Sequence, residues 1–194
     1  MRRLMLFRHA RTENDAPSGR DRDRRLDQRG EIDAAQMGGW IGQHPPFADL
    51  VLVSTAVRAQ QTWDLASAAM PKTVPQPKVE LVDEIYAADP SQLLQTIHAA
   101  STSNPQLLML VGHNPGMHEL AIALAGSGDF SLRKALTDNM PTAGLAVFDF
   151  AVDDWNDVAF QQGELVVFVG PKSLKAASGG FVPSALAGDG GEHR

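Results

Sequence analysis

Apolar residues in this chain fall into short dense runs separated by longer stretches of helical spacing. The runs at 4–7 (Leu-Met-Leu-Phe), 50–53 and 107–111 are unbroken, the pattern of strands buried on both faces. They predict strands over 3–7, 50–53 and 107–111, with a short edge strand over 79–82. Between them the period lengthens. Asp27 can cap a helix to about residue 43 that carries Ala34, Met37 and Ile41 on one face and stops at His44-Pro45-Pro46. A second helix is predicted over 56–70, capped by Ser54 or Thr55 and ended by Pro71. A third runs over 90–101 with Ser91 near its start, and a fourth over 115–124, broken by Gly126-Ser127-Gly128. Two late strands, 143–151 and 163–169, are expected to pair as a hairpin across 153–157. Residues 10–26 read as a polar loop of the length that is usually functional or mobile. Strands alternating with helices predict an α/β fold: a three-layer, doubly wound, mostly parallel sheet with helices on both faces. One domain is expected over 1–172, followed by a Gly/Ser/Ala-rich tail over 173–194.

Composition narrows the chemistry. With 194 residues, 43% of them hydrophobic, the chain can fill one core of ordinary size. It has no cysteine, which excludes disulfides, cysteine-ligated zinc and a cysteine nucleophile. The first apolar run is four residues long and leads into Arg8, so no signal peptide is read there. No stretch approaches the ~18 apolar residues of a membrane span. A soluble cytoplasmic protein without membrane attachment is the expectation.

The net charge of −6 conceals an asymmetry. Residues 1–30 hold nine of the 17 basic residues, all arginine, against five acids, a net of +4. The remaining eight basic and 18 acidic residues give −10. A cationic patch on an acidic body attracts anions over ~8 Å at physiological salt. The interleaved Asp15, Asp21, Asp23 and Asp27 fit an ordinary solvated loop equally well for Arg20, Arg22 and Arg25. Nucleic acid is not an expected partner, because the chain is acidic overall and no aromatic residues interleave the arginines.

The ends of the strands carry the distinctive residues. Arg8-His9-Ala10 follows the first strand, and Gly112-His113-Asn114-Pro115-Gly116 follows the strand at 107–111. In open α/β sheets, ligands bind beyond the carboxyl ends of the strands. A neutral imidazole with one free nitrogen can attack phosphorus, provided that an acceptor such as a backbone carbonyl holds the other nitrogen. Arg8 offers a planar fork of donors to phosphoryl oxygens. His113 precedes a helix start, which favours negative charge, and Gly112 leaves room for close backbone approach. Arg58, in Ser54-Thr55-Ala56-Val57-Arg58-Ala59-Gln60-Gln61-Thr62, falls in the first turn of a helix, where a cation implies an anionic partner. Each residue alone also fits a plainer role: a structural histidine, a polar turn, a surface arginine. Together they suggest phosphate chemistry.

Arg8-His9-Ala10, the Ser-Thr-x-x-Arg-Ala-x-x-Thr run at 54–62 and Gly-His-Asn-Pro-Gly at 112–116 resemble the histidine phosphatase superfamily, most closely its SixA-type phosphohistidine phosphatase branch. Asp23-Arg24-x-Leu26, Arg29-Gly30 and Thr142 also fit that branch. The resemblance runs to about Pro171-Lys172 and implies a phosphoglycerate-mutase-like fold. It implies two-step hydrolysis in which His9 takes up the phosphoryl group and water then releases it. Arg8, Arg58 and His113 would neutralise the transferring oxygens, and Arg24 would help bind substrate. No metal or cofactor is implied.

The resemblance often places a general acid after the third strand, where this chain reads Val82-Asp83-Glu84-Ile85-Tyr86. Glu84 is the first candidate and Asp83 the second; an exposed acid before a helix is the plainer reading. A phosphohistidine substrate, with imidazole as leaving group, needs little or no acid assistance. Ala10 replaces the glycine usual in the mutase branch, and Arg25 replaces a proline usual after Arg24. Asn14 falls one position short of a phosphate-binding asparagine, so that role is not carried over. His44, His98, His118 and His193 match nothing in the family pattern, although His118 could line the pocket. Neither the gap from Arg58 to Gly112 nor that from His113 to Asp138 has room for a large helical lid. The expected substrate is phosphohistidine in a signalling or phosphotransfer protein. The alternatives are a phosphatase or mutase for small phosphate esters, and a non-catalytic phosphate-binding module.

Overall fold

The computed structural model describes residues 1–179. The unbroken apolar runs become the centre of a seven-stranded sheet. Its strands are β1 (Arg2–Arg8), β2 (Leu50–Ser54), β3 (Lys78–Val82), β4 (Leu107–Gly112), β5 (Ala125–Gly128), β6 (Leu145–Phe150) and β7 (Gly163–Val169). The spatial order is β3-β2-β4-β1-β6-β7-β5. β3, β2, β4 and β1 are mutually parallel, β6 runs antiparallel to β1 and β7, and β5 is parallel to β7. Only β6 is reversed, so the sheet is mostly parallel and the late hairpin forms as expected.

Alternation along each strand builds two cores. Leu4 and Leu6 pack with Leu93, Ile97, Met117 and Leu120, beneath α3 (Pro90–Ala99), α4 (Gly116–Leu124) and α5 (Phe130–Asp138). Met5 and Phe7 pack with Ala34, Met37, Ala59 and Trp63, beneath α1 (Gln28–Ile41) and α2 (Val57–Ala69). Helices therefore cover both faces. The two helices of the second layer approach closely at Gly38, where a Cβ would lie 2.0 Å from the Ala66 carbonyl oxygen. Among the described residues no helix is long and apolar enough to cross a membrane.

Several local expectations are corrected. Asp27 caps α1 by accepting from Gly30 N–H, as expected. α2 has no side-chain cap, because Ser54 turns to His113 and Thr55 to Asp83. α3 is capped by Asp89 in a reciprocal box with Gln92, not by Ser91, and ends at Ala99. The glycine-rich 126–128 stretch is part of edge strand β5, and Asp129 caps the unforeseen α5. Helix α6 (Pro171–Gly179) crosses the expected boundary at 172, with Ser173 bonded to both backbone groups of Gly170 and Leu174 packed on the second core. The rest of the expected tail, including His193, lies outside the described residues.

Candidate active site

Strand register brings the two distant histidines together. Parallel pairing aligns Phe7 with Val111 and Arg8 with Gly112, so His9 and His113 leave the sheet side by side. Neighbouring strands lie ~4.8 Å apart. The ring centroids of His9 and His113 are 5.1 Å apart, with an interplanar angle of 52°. β2 aligns Val53 with Val111, which carries Ser54 to the same edge. Its hydroxyl is hydrogen-bonded to His113 Nε2 at 2.7 Å.

The motif at 54–62 fastens the first histidine as well. Thr62 Oγ1 donates to the Arg58 carbonyl at 2.7 Å and accepts from Ala10 N–H at 2.9 Å. His9 N–H donates to the Gly112 carbonyl, and the His9 carbonyl accepts from Ala143 N–H. The Met140 carbonyl accepts from both Arg8 Nη1 and Asn114 Nδ2, each at 2.9 Å. Residues of all three motifs are thus tied into one frame.

The ring of His9 is set up in one tautomer. Nδ1–H donates to the Ala10 carbonyl at 2.7 Å, which leaves Nε2 with its lone pair. Burial, reinforced by Arg58, Arg8 and Arg24, lowers the His9 pKa to about 4 against the opposing pull of the Ala10 bond. Burial, then His9 and Arg58, lower His113 to about 3. Both rings are neutral at neutral pH. Burial also lowers the pKa of Arg8. Arg8 Nε, Arg58 Nε and His113 Nδ1 are buried without a hydrogen-bond partner. Unpaired buried polar groups are costly, and here all three belong to residues that line one cleft.

Arg58, with 6% of its side chain exposed, finds the anion that its place in the helix demanded. That anion is Asp21, in a 3-10 turn over Asp21–Asp23 of the long polar loop. The Asp21 carboxylate also accepts from Tyr86 Oη at 2.8 Å and pairs with Arg24 Nε at 3.0 Å. Tyr86 O–H and Arg58 hold the Asp21 pKa down at about 2. The Tyr86 ring stands edge-on to His113 at 5.7 Å, with the Arg22 guanidinium 4.2 Å from its centre. Sequence reasoning missed Asp21 and Tyr86. The spacing from Asp21 to Arg24 was a usable signal for the first, and Tyr86 offered none.

Arg8, His9, Arg24, Arg58, His113 and Thr142 all line one cleft of ≈ 760 Å³. Asn14 lines it too, although no phosphate role was carried over to it. Glu84 does not. It lines a separate cavity of ≈ 680 Å³ beside β3 and α3, and Tyr86 and Ala87 form the wall between the two. Asp83, the second candidate acid, is occupied by Thr55 and Arg22, which hold it as a carboxylate. The space at Gly112 serves packing, not a ligand: a Cβ there would meet Ile85 and Met117. His118 donates to the Leu136 carbonyl, His98 to that of Val158 and His44 to that of Trp40, so all three are structural. No residue of α5 lines the cleft.

Known proteins share this architecture. The family model of the histidine phosphatase superfamily (branch 1) matches residues 4–106, which include His9 and Arg58. An uncharacterised protein of Mycobacterium tuberculosis is 34% identical over 169 residues, 86% of this chain and 100% of that protein. The crystal structure of a candidate phosphohistidine phosphatase SixA of Agrobacterium tumefaciens is 32% identical at a TM-score of 0.69, covering 88% of this chain and 99% of that one. A second candidate SixA, from Nakamurella multipartitia, is 25% identical at a TM-score of 0.71, covering 88% and 96%. By its family match and by the extent of these likenesses, the chain belongs to the histidine phosphatase superfamily.

Proposed function

We propose that this protein is a phosphatase that works through a phosphohistidine on His9 and acts on phosphohistidine in a signalling or phosphotransfer protein. The observation that carries the chemistry is the pairing of His9 and His113, 5.1 Å apart, with Arg8 and Arg58 in the same cleft. His9 Nε2 attacks phosphorus as the bond to the leaving imidazole breaks, and that imidazole takes up a proton from solvent. Arg8, Arg58 and His113 neutralise the phosphoryl oxygens. An anion between the two rings raises the pKa of His113 and strengthens it as a donor. Water then attacks the His9 phosphoramidate and releases inorganic phosphate. Arg24 lines the approach.

The substrate class is supported by the likeness to candidate SixA proteins and by a cleft that Glu84, the expected acid, does not line. Imidazole leaves with little acid assistance, so the displacement of Glu84 from the cleft matches a phosphohistidine better than an alkyl phosphate. The test is a pulse of radiolabelled phosphohistidine protein followed by a denaturing quench. Acid-labile label on His9, no turnover by His9→Ala and higher kcat/KM on the phosphoprotein than on sugar or nucleotide phosphates are expected. Preference for the small esters would overturn the substrate class, and label absent from His9 would overturn the mechanism.

A further inference from the structure

Arg11 and Thr142 line both the cleft and a second cavity of ≈ 690 Å³, so the two adjoin. Arg29 and Lys172 add two cations to this annex, and Phe168 gives it an apolar wall. Asp33 is its one acidic lining residue among the described residues; it is 7% exposed and already bridges Arg29 at 3.2 Å and Lys175 at 3.5 Å. Arg11 and Arg29 keep 65% and 49% of their side chains exposed despite their ion pairs. Asp89 and Glu119 line the cleft but not the annex, whose described lining sets Arg11, Arg29 and Lys172 against one carboxylate.

Among the arginines of the first thirty residues, Arg20, Arg22 and Arg24 pair with Asp23, Asp83 and Asp21. Arg11 and Arg29 pair with Asp27 and Asp33 and also line the annex. We propose that the annex docks acidic residues that flank the phosphohistidine of the protein substrate. The proposal rests on the phosphohistidine reading above and adds the chemistry of the partner. A substrate histidine reaching His9 brings its neighbours against one end of the cleft, and charge selects which neighbours fit.

The experiment uses the full-length protein and two synthetic phosphohistidine peptides, one flanked by glutamates and one by lysines. Turnover of p-nitrophenyl phosphate serves as the control for folding and chemistry. The glutamate peptide is expected to show about tenfold higher kcat/KM, carried by KM and eroded by added NaCl. Lys172→Glu and Arg29→Gln each reduce that ratio at least about threefold and leave p-nitrophenyl phosphate turnover unchanged. Equal use of the peptides, preference for lysine or a ratio unmoved by both variants overturns the docking proposal while the phosphohistidine reading stands. Hydrolysis of p-nitrophenyl phosphate with neither peptide touched overturns both.

Discussion

Asp21 and Arg58 are joined twice: Arg58 Nη1 donates to the Asp21 carbonyl at 2.7 Å and Nη2 to its carboxylate at 3.0 Å. The guanidinium proposed to meet the phosphoryl group thus already holds an anion. With a pKa of about 2, Asp21 stays charged through the working range and cannot serve as the general acid. A phosphoryl group entering the cleft must share Arg58 with it. Asp21→Asn is expected to tighten competitive inhibition by inorganic phosphate by roughly threefold to tenfold, the scale of one partly exposed charge pair. The measurement is the inhibition constant with p-nitrophenyl phosphate as substrate. Weaker inhibition would mean that Arg58 depends on Asp21 for its aim more than it suffers from its charge.

The depressed histidines fix a direction for pH dependence. In an unfolded chain both titrate near 6.5, whereas here they titrate at about 4 and about 3. From pH 6.5 downward to about 4, the unfolded chain binds more protons than the folded one. Stability therefore rises with pH across that window and is lost on acidification. Tm is expected to be flat above neutrality and to fall below pH 6.5, with the fall flattened in a His9→Gln/His113→Gln double variant. The acidic limb of kcat/KM is expected near pH 4, where free His9 takes up its proton. A limb near 6.5 would contradict the buried, neutral nucleophile.

Glu84 offers a separate check. It faces another cavity across Tyr86 and Ala87. Glu84→Gln is accordingly expected to keep kcat on p-nitrophenyl phosphate and on a phosphohistidine peptide within about twofold, far short of the 10²–10⁴ that a general acid contributes. A hundredfold loss on either substrate would return Glu84 to the reaction.

The parts of this molecule legible from its sequence were those governed by local pattern. Continuous apolar runs announced β1, β2 and β4, and the residue after each run fell where the sheet edge puts its ligands. β5 and α5 were hidden for opposite reasons. β5 is four residues of Ala, Gly and Ser with no apolar period, and α5 buries only Leu136, although Asp129 was a readable cap. The anionic partner of Arg58 was implied by the helix start, yet its identity depended on how a polar loop folds back over 37 positions. Glu84 lines only the neighbouring cavity, whereas Tyr86, two residues on, lines both that cavity and the cleft, a difference that no local pattern in the segment announces.

Thr62 joins the two arms of the site and shows how far the chemistry depends on the frame. It is fully buried, and its hydroxyl both donates to the Arg58 carbonyl and accepts from Ala10 N–H, directly after the proposed nucleophile His9. Thr62→Val keeps the shape and strands Ala10 N–H, while the Arg58 carbonyl keeps its helical bond. Leaving a buried donor unpaired costs about 1–3 kcal/mol, which lowers Tm by roughly 2–10 °C for a chain of this size. Because Ala10 also receives the His9 Nδ1–H bond, its displacement tilts the imidazole that the proposed mechanism needs in line with phosphorus. A misaimed nucleophile costs on the order of tenfold or more in kcat. Thr62→Ser, which keeps the hydroxyl, is expected to recover most of the rate while losing some packing. Thermal denaturation and kcat for the pair test this. If Thr62→Val melts early yet turns over at the wild-type rate below its Tm, the hydroxyl holds the fold and not the aim of His9.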